Sequence, residues 1–424
     1  MILRCSECST VAADGALTCS ACDGLLVLEL DVASIDVSAL RARLRERRLS
    51  NDHRDRSGVW RFRELLPPIA HEHIITLREG DIPLYAAHTG ATYAGLPRLS
   101  YLHQGMNPSA SFKDTGMTVA ISNAFARGAR VAVCASTGNT SASMAAYAAR
   151  AGIHAVVLIA SGISESKIAQ TLDYGANVLA FEGDFDAALA AVRRLDPARV
   201  AVVNSVNPYR VEGQKTAAFF MLEARDWRVP DWLVLPGGNL GNTSAFGKGF
   251  REALALGLID RLPRIAVVQA AGAAPFAQAF ASGRDLVPVV AKTTATAIKI
   301  GAPVSWRKAL GEVRASGGTV LAVDDDAIAE ARAVIGADGI GCEPASATSL
   351  AGARVLAANG TIAPGDDVVL VLTGHLLKDA PYAAQYHASA AARANTIVPV
   401  RDEAELTARI DALAVARSAA PTVA

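Results

Sequence analysis

The chain has 424 residues, enough for two or three domains of ~150 residues each, and 51% of them are hydrophobic, ample for sizeable cores. Its 41 basic and 41 acidic residues give a formal net charge of zero. That balance argues against a dedicated nucleic-acid surface or a polybasic membrane anchor, while one or two local cations would still suffice for a small acidic ligand.

The opening "MILRCSECST" lacks the charged segment and apolar core of a secretion signal, and no run of ~18 apolar residues suggests a membrane span. A cytoplasmic protein is expected. Four cysteines form two C-x-x-C pairs, Cys5 with Cys8 and Cys19 with Cys22, ten residues apart in polar, Gly- and Ser-containing turns. Thiolates so spaced can converge on one structural zinc, giving a small ribbon over residues 1–35. Four free surface thiols are the plainer alternative. Cys134 and Cys342 stand alone.

Residues 36–64 are charged and mostly helical, and read as a solvated connection. Beyond them, runs such as "VAVCAS", "AVVLIAS", "WLVLPGG" and "DVVLVLTG" alternate with helix-like stretches. Continuous apolar strands alternating with helices indicate α/β architecture, with a largely parallel sheet covered on both faces. Ligands of such sheets bind beyond the carboxyl ends of the strands, where several runs end in Gly, Ser, Asn or Thr. The tail, 387–424, carries one amphipathic helix and then frays in "SAAPTVA".

Three loops carry chemistry. In "NPSASFKDTGMTVAIS", Lys113 follows a phenylalanine and opens a helix, so its amine lies near the sheet instead of in bulk water. Partial desolvation lowers an ammonium pKa, as a Schiff-base lysine requires. In "STGNTSASMAAYAARAGI", four hydroxyl residues crowd six positions at a helix start, where capping would need one. Ser136, Thr137 and Thr140, with the exposed N–H groups there, suit an amino-acid carboxylate. In "PGGNLGNTSAFGKGF", a strand, a glycine-rich turn and a helix start can hold a phosphate dianion. The spacing is not G-x-G-x-x-G, and Gln269 ends the next strand where a ribose-binding acid would stand, so a monophosphate is preferred to a dinucleotide.

The ordered blocks "NPSASFKD", "ASTGNTSAS", "NSVNPYRVEGQKT", "PGGNLGN", "ATAIKIGAPVSW", "EPASA" and "LTGHLLKD" resemble threonine synthase over roughly residues 65–385. That family belongs to the pyridoxal-phosphate enzymes of the tryptophan-synthase-β type (fold type II). The resemblance implies two open, largely parallel α/β domains: a large one from 65–105 and 201–386, and a small one from 106–200. It also implies a homodimer, and the cysteine ribbon resembles an extension of some members. Lys113 would carry pyridoxal phosphate covalently, and Asn139 would bind its phenolic oxygen. Gly238, Asn239, Leu240, Gly241 and Asn242 would hold its phosphate, and Thr373 would face its pyridine nitrogen. A neutral hydroxyl there does not keep the nitrogen protonated as an Asp would. Asn204, Ser205 and Arg210 would bind the phosphate of O-phosphohomoserine, the guanidinium by forking onto its oxygens.

Two positions depart from the family pattern. Thr115 replaces the Arg of F-K-D-R-G, and Leu376 replaces the second Gly of G-H-G-L-K-D. They leave open a paralogue performing β-replacement on O-phosphoserine. A hydroxyamino-acid dehydratase, which needs no substrate phosphate, and a catalytically silent binding module are further alternatives.

Overall fold

The apolar, β-branched runs become strands and the small-residue stretches after them become helices. A computed structural model describes residues 1–160, 165–182, 192, 194–196, 200–389, 391–395 and 397–417. Among these residues the strands are β1 (Ile2–Cys5), β2 (Leu26–Glu29), β3 (Leu84–Ala86), β4 (Leu99–His103), β5 (Val131–Ala135), β6 (His154–Ala160), β7 (Asn177–Phe181), β8 (Ala201–Val202), β9 (Trp232–Pro236), β10 (Arg264–Ala270), β11 (Thr319–Val323) and β12 (Val368–Leu372). They form three sheets: an antiparallel β1–β2 pair, a four-stranded sheet ordered β7–β6–β5–β8, and a six-stranded sheet ordered β11–β10–β9–β12–β4–β3. All neighbours in the two larger sheets are parallel except β3 and β4. Every residue of β9 and β12 is buried, as a sheet covered by helices on both faces requires. No described helix is long and apolar enough to cross a membrane.

Strand order fixes where ligands can bind. The chain runs outward from β5 through β6 to β7, then returns to place β8 on the other side of β5. Likewise β10 and β11 lie on one side of β9, and β12 lies on the other. A crevice opens beyond the carboxyl ends at each such reversal. The first crevice is bounded by the loop before the helix Asn139–Ala151 and the loop before the helix Pro208–Ala224; the second lies between the loop before the helix Gly241–Ala255 and Thr373.

Two sequence expectations are corrected. Ala201 and Val202 pair with Ala132 and Val133 of β5, so the strand expected to reopen the large domain at 201 joins the four-stranded sheet. A short apolar strand suits either sheet; its partner is set by long-range pairing and not by its own pattern. Residues 36–64 are not a solvated connection. Asp36 caps the helix Val37–Leu49 by accepting from Ala39 N at 3.0 Å, and Leu40 and Leu44, one turn apart, are buried in a core shared with Phe62, Leu65 and Phe219. The arginines cover that apolar stripe: Arg47 forks onto Glu64 at 2.5 and 2.7 Å.

The chain divides into compact units at Met1–Ala380 and Pro381–Ala424. The second holds the expected helix at Glu403–Arg417; the closing "SAAPTVA" lies outside the described residues. Within the first unit, the helices Lys113–Ala126 and Pro208–Ala224 cross almost backbone to backbone. A Cβ on Gly213 would sit 1.9 Å from the carbonyl oxygen of Thr115, so only glycine allows this approach.

Between the helices Pro208–Ala224 and Gly241–Ala255 lies a buried charge quartet. Lys215 Nζ reaches Glu212 at 2.6 Å and Glu252 at 2.7 Å, and Lys248 also pairs with Glu212. Removing one member of a buried ion pair leaves the other charge unpaired and costs about 3–5 kcal/mol. Lys215→Met is therefore expected to lower stability by about that much in urea unfolding. A loss under ~1 kcal/mol would show that the quartet is not held together as drawn.

Candidate active site

The loop after β9 turns on Leu240, whose φ of 64° lies in the left-handed region, and delivers the helix Gly241–Ala255 without a side-chain cap. Its first N–H groups are free to face an anion. Beside them the buried Thr243 hydroxyl and the buried Asn242 Oδ1 have no protein partner, while Asn242 Nδ2 donates to Gln104 Oε1 at 3.0 Å. Gln214 Oε1 is likewise buried and unpartnered. Of these, the helix-start N–H groups and the Thr243 hydroxyl are donors that a bound phosphate would satisfy, whereas the two amide oxygens are acceptors and would not bind it. Gly238 and Gly241 belong to this turn, but Asn239 serves it differently. Its Nδ2 donates to Ser205 Oγ at 2.7 Å and its Oδ1 accepts from Val304 N at 2.8 Å, tying the turn to the β8 loop and to the "ATAIKIGAPVSW" segment.

Lys113 begins its helix from a loop stitched to the end of β12. Phe112 N donates to Thr373 O at 2.9 Å, His375 N donates to Ala110 O at 3.0 Å, and Ser111 bridges to Gly374. The next residue, Asp114, is fully buried and accepts from Ser109 N and from Ser143 Oγ, both at 2.6 Å; burial still pushes its carboxyl up to about 6. Lys113 is half-buried, with its amine 3.9 Å from the centre of the Phe112 ring. Burial, helped by the Arg210 charge, pushes that amine down to about 7 against the opposing pull of Glu343.

Glu343 receives no role from the sequence, although "EPASA" is one of the recognised blocks. In the structure its buried carboxylate accepts from Asn139 Nδ2 at 3.1 Å and from Thr373 Oγ1 at 3.3 Å. Burial raises its pKa above the ordinary value. A Cβ on Gly374 would come within 2.4 Å of this carboxyl group, so the glycine beside Thr373 makes room for it. Lys113, Asn139 and Thr373, each singled out from the sequence, thus gather around an acid that was not.

Ser136, Thr137 and Thr140 are half-buried around Gly138 at the start of the helix Asn139–Ala151, which has no side-chain cap. The hydroxyl cluster therefore does not cap its own helix. Across the crevice Arg210 is buried; one guanidinium nitrogen donates to Val203 O at 3.2 Å, and its Nε has no protein partner. Burial pushes its pKa down to about 10. Ser205 lies beside Asn239, as above. The Asn204 amide pairs with both N and O of Ala135, at 3.1 and 3.0 Å, prolonging the β5–β8 ladder with one of its two N–H groups.

The departures lie beside these groups. Thr115 is buried with its hydroxyl on Phe112 O at 2.9 Å, and Leu376 packs on Gly341. Cys134 and Cys342 are buried, and burial pushes both thiols up to about 12.

At the amino terminus the sulfurs of Cys5, Cys8, Cys19 and Cys22 all lie within 4.8 Å of one another, with close pairs at 3.4 to 3.6 Å. A tetrahedron of ~2.3 Å metal–sulfur bonds has edges of roughly 3.8 Å. Glu7 N and Ala21 N point at Cys5 and Cys19 sulfurs at 3.3 and 3.4 Å, donors that favour thiolates.

Residues 75–374 match the family described as pyridoxal-phosphate dependent enzyme. A threonine synthase of Methanosarcina acetivorans is 44% identical over 384 residues, covering 89% of this chain and 92% of that protein. One from Synechocystis sp. is 47% identical over 328 residues, covering 76% and 84%. The crystal structure of threonine synthase from Escherichia coli aligns with a TM-score of 0.68, covering 97% of this chain and 95% of its own; at 18% identity it speaks for the fold. By the family match and by relatives 44–47% identical along most of its length, this chain belongs to the pyridoxal-phosphate-dependent enzymes and, among them, to the threonine synthase family.

Proposed function

We propose that the chain converts O-phospho-L-homoserine and water to L-threonine and phosphate. The observation that carries this reading is the buried Arg210, with one unpartnered nitrogen and close enough to Lys113 to lower its pKa, together with the half-buried Ser136, Thr137 and Thr140 at an uncapped helix start. A substrate with a carboxylate at one end and a phosphate at the other fits two such sites around one amine.

Pyridoxal phosphate, when bound, supplies the electron sink that stabilises negative charge on substrate carbon. The turn Gly238–Asn242 and the Thr243 hydroxyl would hold its phosphate, with Asn139 and Thr373 at its ring. Lys113 would bind it covalently, and the Lys113 amine, near neutrality, takes the proton from the substrate Cα and later returns one. Ser136, Thr137 and Thr140 hold the α-carboxylate. Asn204, Ser205 and Arg210 would hold the phosphate that leaves Cγ, with Asn204 also bracing their loop on Ala135. A proton leaves Cβ, the Cγ–oxygen bond breaks, water adds its hydroxyl at Cβ, and Cγ gains a proton. Thr115 is bonded to Phe112 O and Leu376 packs on Gly341, so neither departure removes a residue of the proposed set. A cytoplasmic homodimer with structural zinc on Cys5, Cys8, Cys19 and Cys22 completes the proposal.

Incubation of the holoenzyme with O-phosphohomoserine should release threonine and phosphate in equal amounts, whereas O-phosphoserine should release neither. Phosphate from phosphoserine alone would transfer the protein to β-replacement. Arg210→Ala should cut kcat/KM for phosphohomoserine roughly 10- to 100-fold, the loss of a charged hydrogen bond of ~1.5–3 kcal/mol. A dehydratase acting on unphosphorylated substrates would barely respond.

The amine of Lys113 is nucleophilic only when deprotonated, which is the form present above its pKa. Loading of cofactor-free protein should therefore accelerate with pH through a midpoint near 7. The visible band of the bound cofactor reports the rate; a midpoint close to the ordinary lysine value would contradict the burial argument.

Metal analysis should find one zinc per chain, lost in Cys19→Ser together with a lower melting temperature, since folding and binding at a four-thiolate site are coupled. A folded, metal-free protein with four titratable thiols would overturn the ribbon.

A further inference from the structure

Ser346 sits in the first turn of the helix Pro344–Ala358 and is completely buried. Its Oγ accepts two backbone N–H groups, from Thr373 at 2.9 Å and from Gly374 at 3.0 Å. A serine hydroxyl has one proton and two lone pairs. Both lone pairs are thus engaged. Its remaining polar contacts are Thr373 Oγ1 at 3.0 Å and Gly374 O at 3.4 Å. The shorter takes the proton, so Ser346 donates to Thr373.

The direction of one bond sets the next. Thr373 Oγ1 accepts from Ser346, and its own proton points away, here towards Glu343 Oε1 at 3.3 Å. We propose that Ser346 is a positioning residue that fixes Thr373 as a hydrogen-bond donor, so that the cofactor's ring nitrogen meets a donor and keeps its lone pair unprotonated. The inference rests on the reading that Thr373 faces that nitrogen. Without Ser346 the threonine hydroxyl could equally turn and accept, which would suit a protonated ring and a stronger electron sink. A single buried serine would then hold the cofactor's electronics in the form this site uses.

The test is the 15N resonance of pyridoxal phosphate labelled at its ring nitrogen, recorded in the holoenzyme across neutral pH. Wild type should show an unprotonated pyridine. Ser346→Ala should move the resonance towards the protonated position and weaken cofactor binding up to about tenfold, the scale of one neutral hydrogen bond. In a Thr373→Val background the same substitution should leave the resonance where Thr373→Val alone puts it, because no hydroxyl remains to orient. Loss of an acceptor for two backbone N–H groups would weaken folding in either background, but could not produce that dependence. If Ser346→Ala does not fold, Ser346→Cys, a weak donor of similar size, should give a smaller shift in the same direction. A resonance that moves in Thr373→Val but not in the Ser346 variants overturns the role of Ser346. One that ignores Thr373→Val as well overturns the placement of Thr373.

Discussion

The active crevice depends on a buried carboxylate with neighbours from both larger sheets. Glu343 caps no helix with its side chain; it accepts from Asn139, which follows the four-stranded sheet, and from Thr373, which ends the six-stranded one. Burying an acid is costly unless hydrogen bonds and nearby cations compensate, and Lys113 and Lys378 lie close enough to do so. The acid fixes one N–H of the Asn139 amide and leaves the other available. Two groups expected at opposite edges of one ring are thereby referred to the same anchor.

Electrostatics around Lys113 follow from crowding. Burial takes basicity from both Arg210 and Lys113; the Arg210 charge adds to the effect on Lys113, and Glu343 restores only part of it. Such an arrangement is unfavourable for the empty protein and favourable for one holding anions, since two phosphates and a carboxylate would neutralise what the chain leaves unpaired. The orphaned Thr243 hydroxyl belongs to the same pattern. Strain of this kind is common where binding is the purpose of the fold.

Much of the architecture was legible because parallel strands are apolar throughout: "VAVCA" and "WLVLP" could hardly be anything else. Cysteine spacing and the "SFKD" block were equally plain. The sheet to which β8 belongs was not, since pairing is decided between distant segments. Nor was the burial of residues 36–64, where Leu40 and Leu44 are outnumbered by arginines. The bracing of Asn204 on both N and O of Ala135 was not legible either, since strand-end geometry decides it. Glu343 and Ser346 escaped notice for a simpler reason. The glutamate and the serine of "EPASA" have no periodicity or spacing of their own, and acquire meaning only from what lies across from them.

The crossing at Gly213 reaches further than packing. The residue three before it carries the guanidinium, and the residue two before Thr115 carries the amine, so the gap between the two cations is set where these helices touch. A single methyl at 213 would wedge the helices apart and weaken the smaller, Arg210 part of the push on the amine, leaving the larger part, burial, in place. The spacing of the two cations is, in that sense, set by a hydrogen atom on a residue that carries no charge of its own.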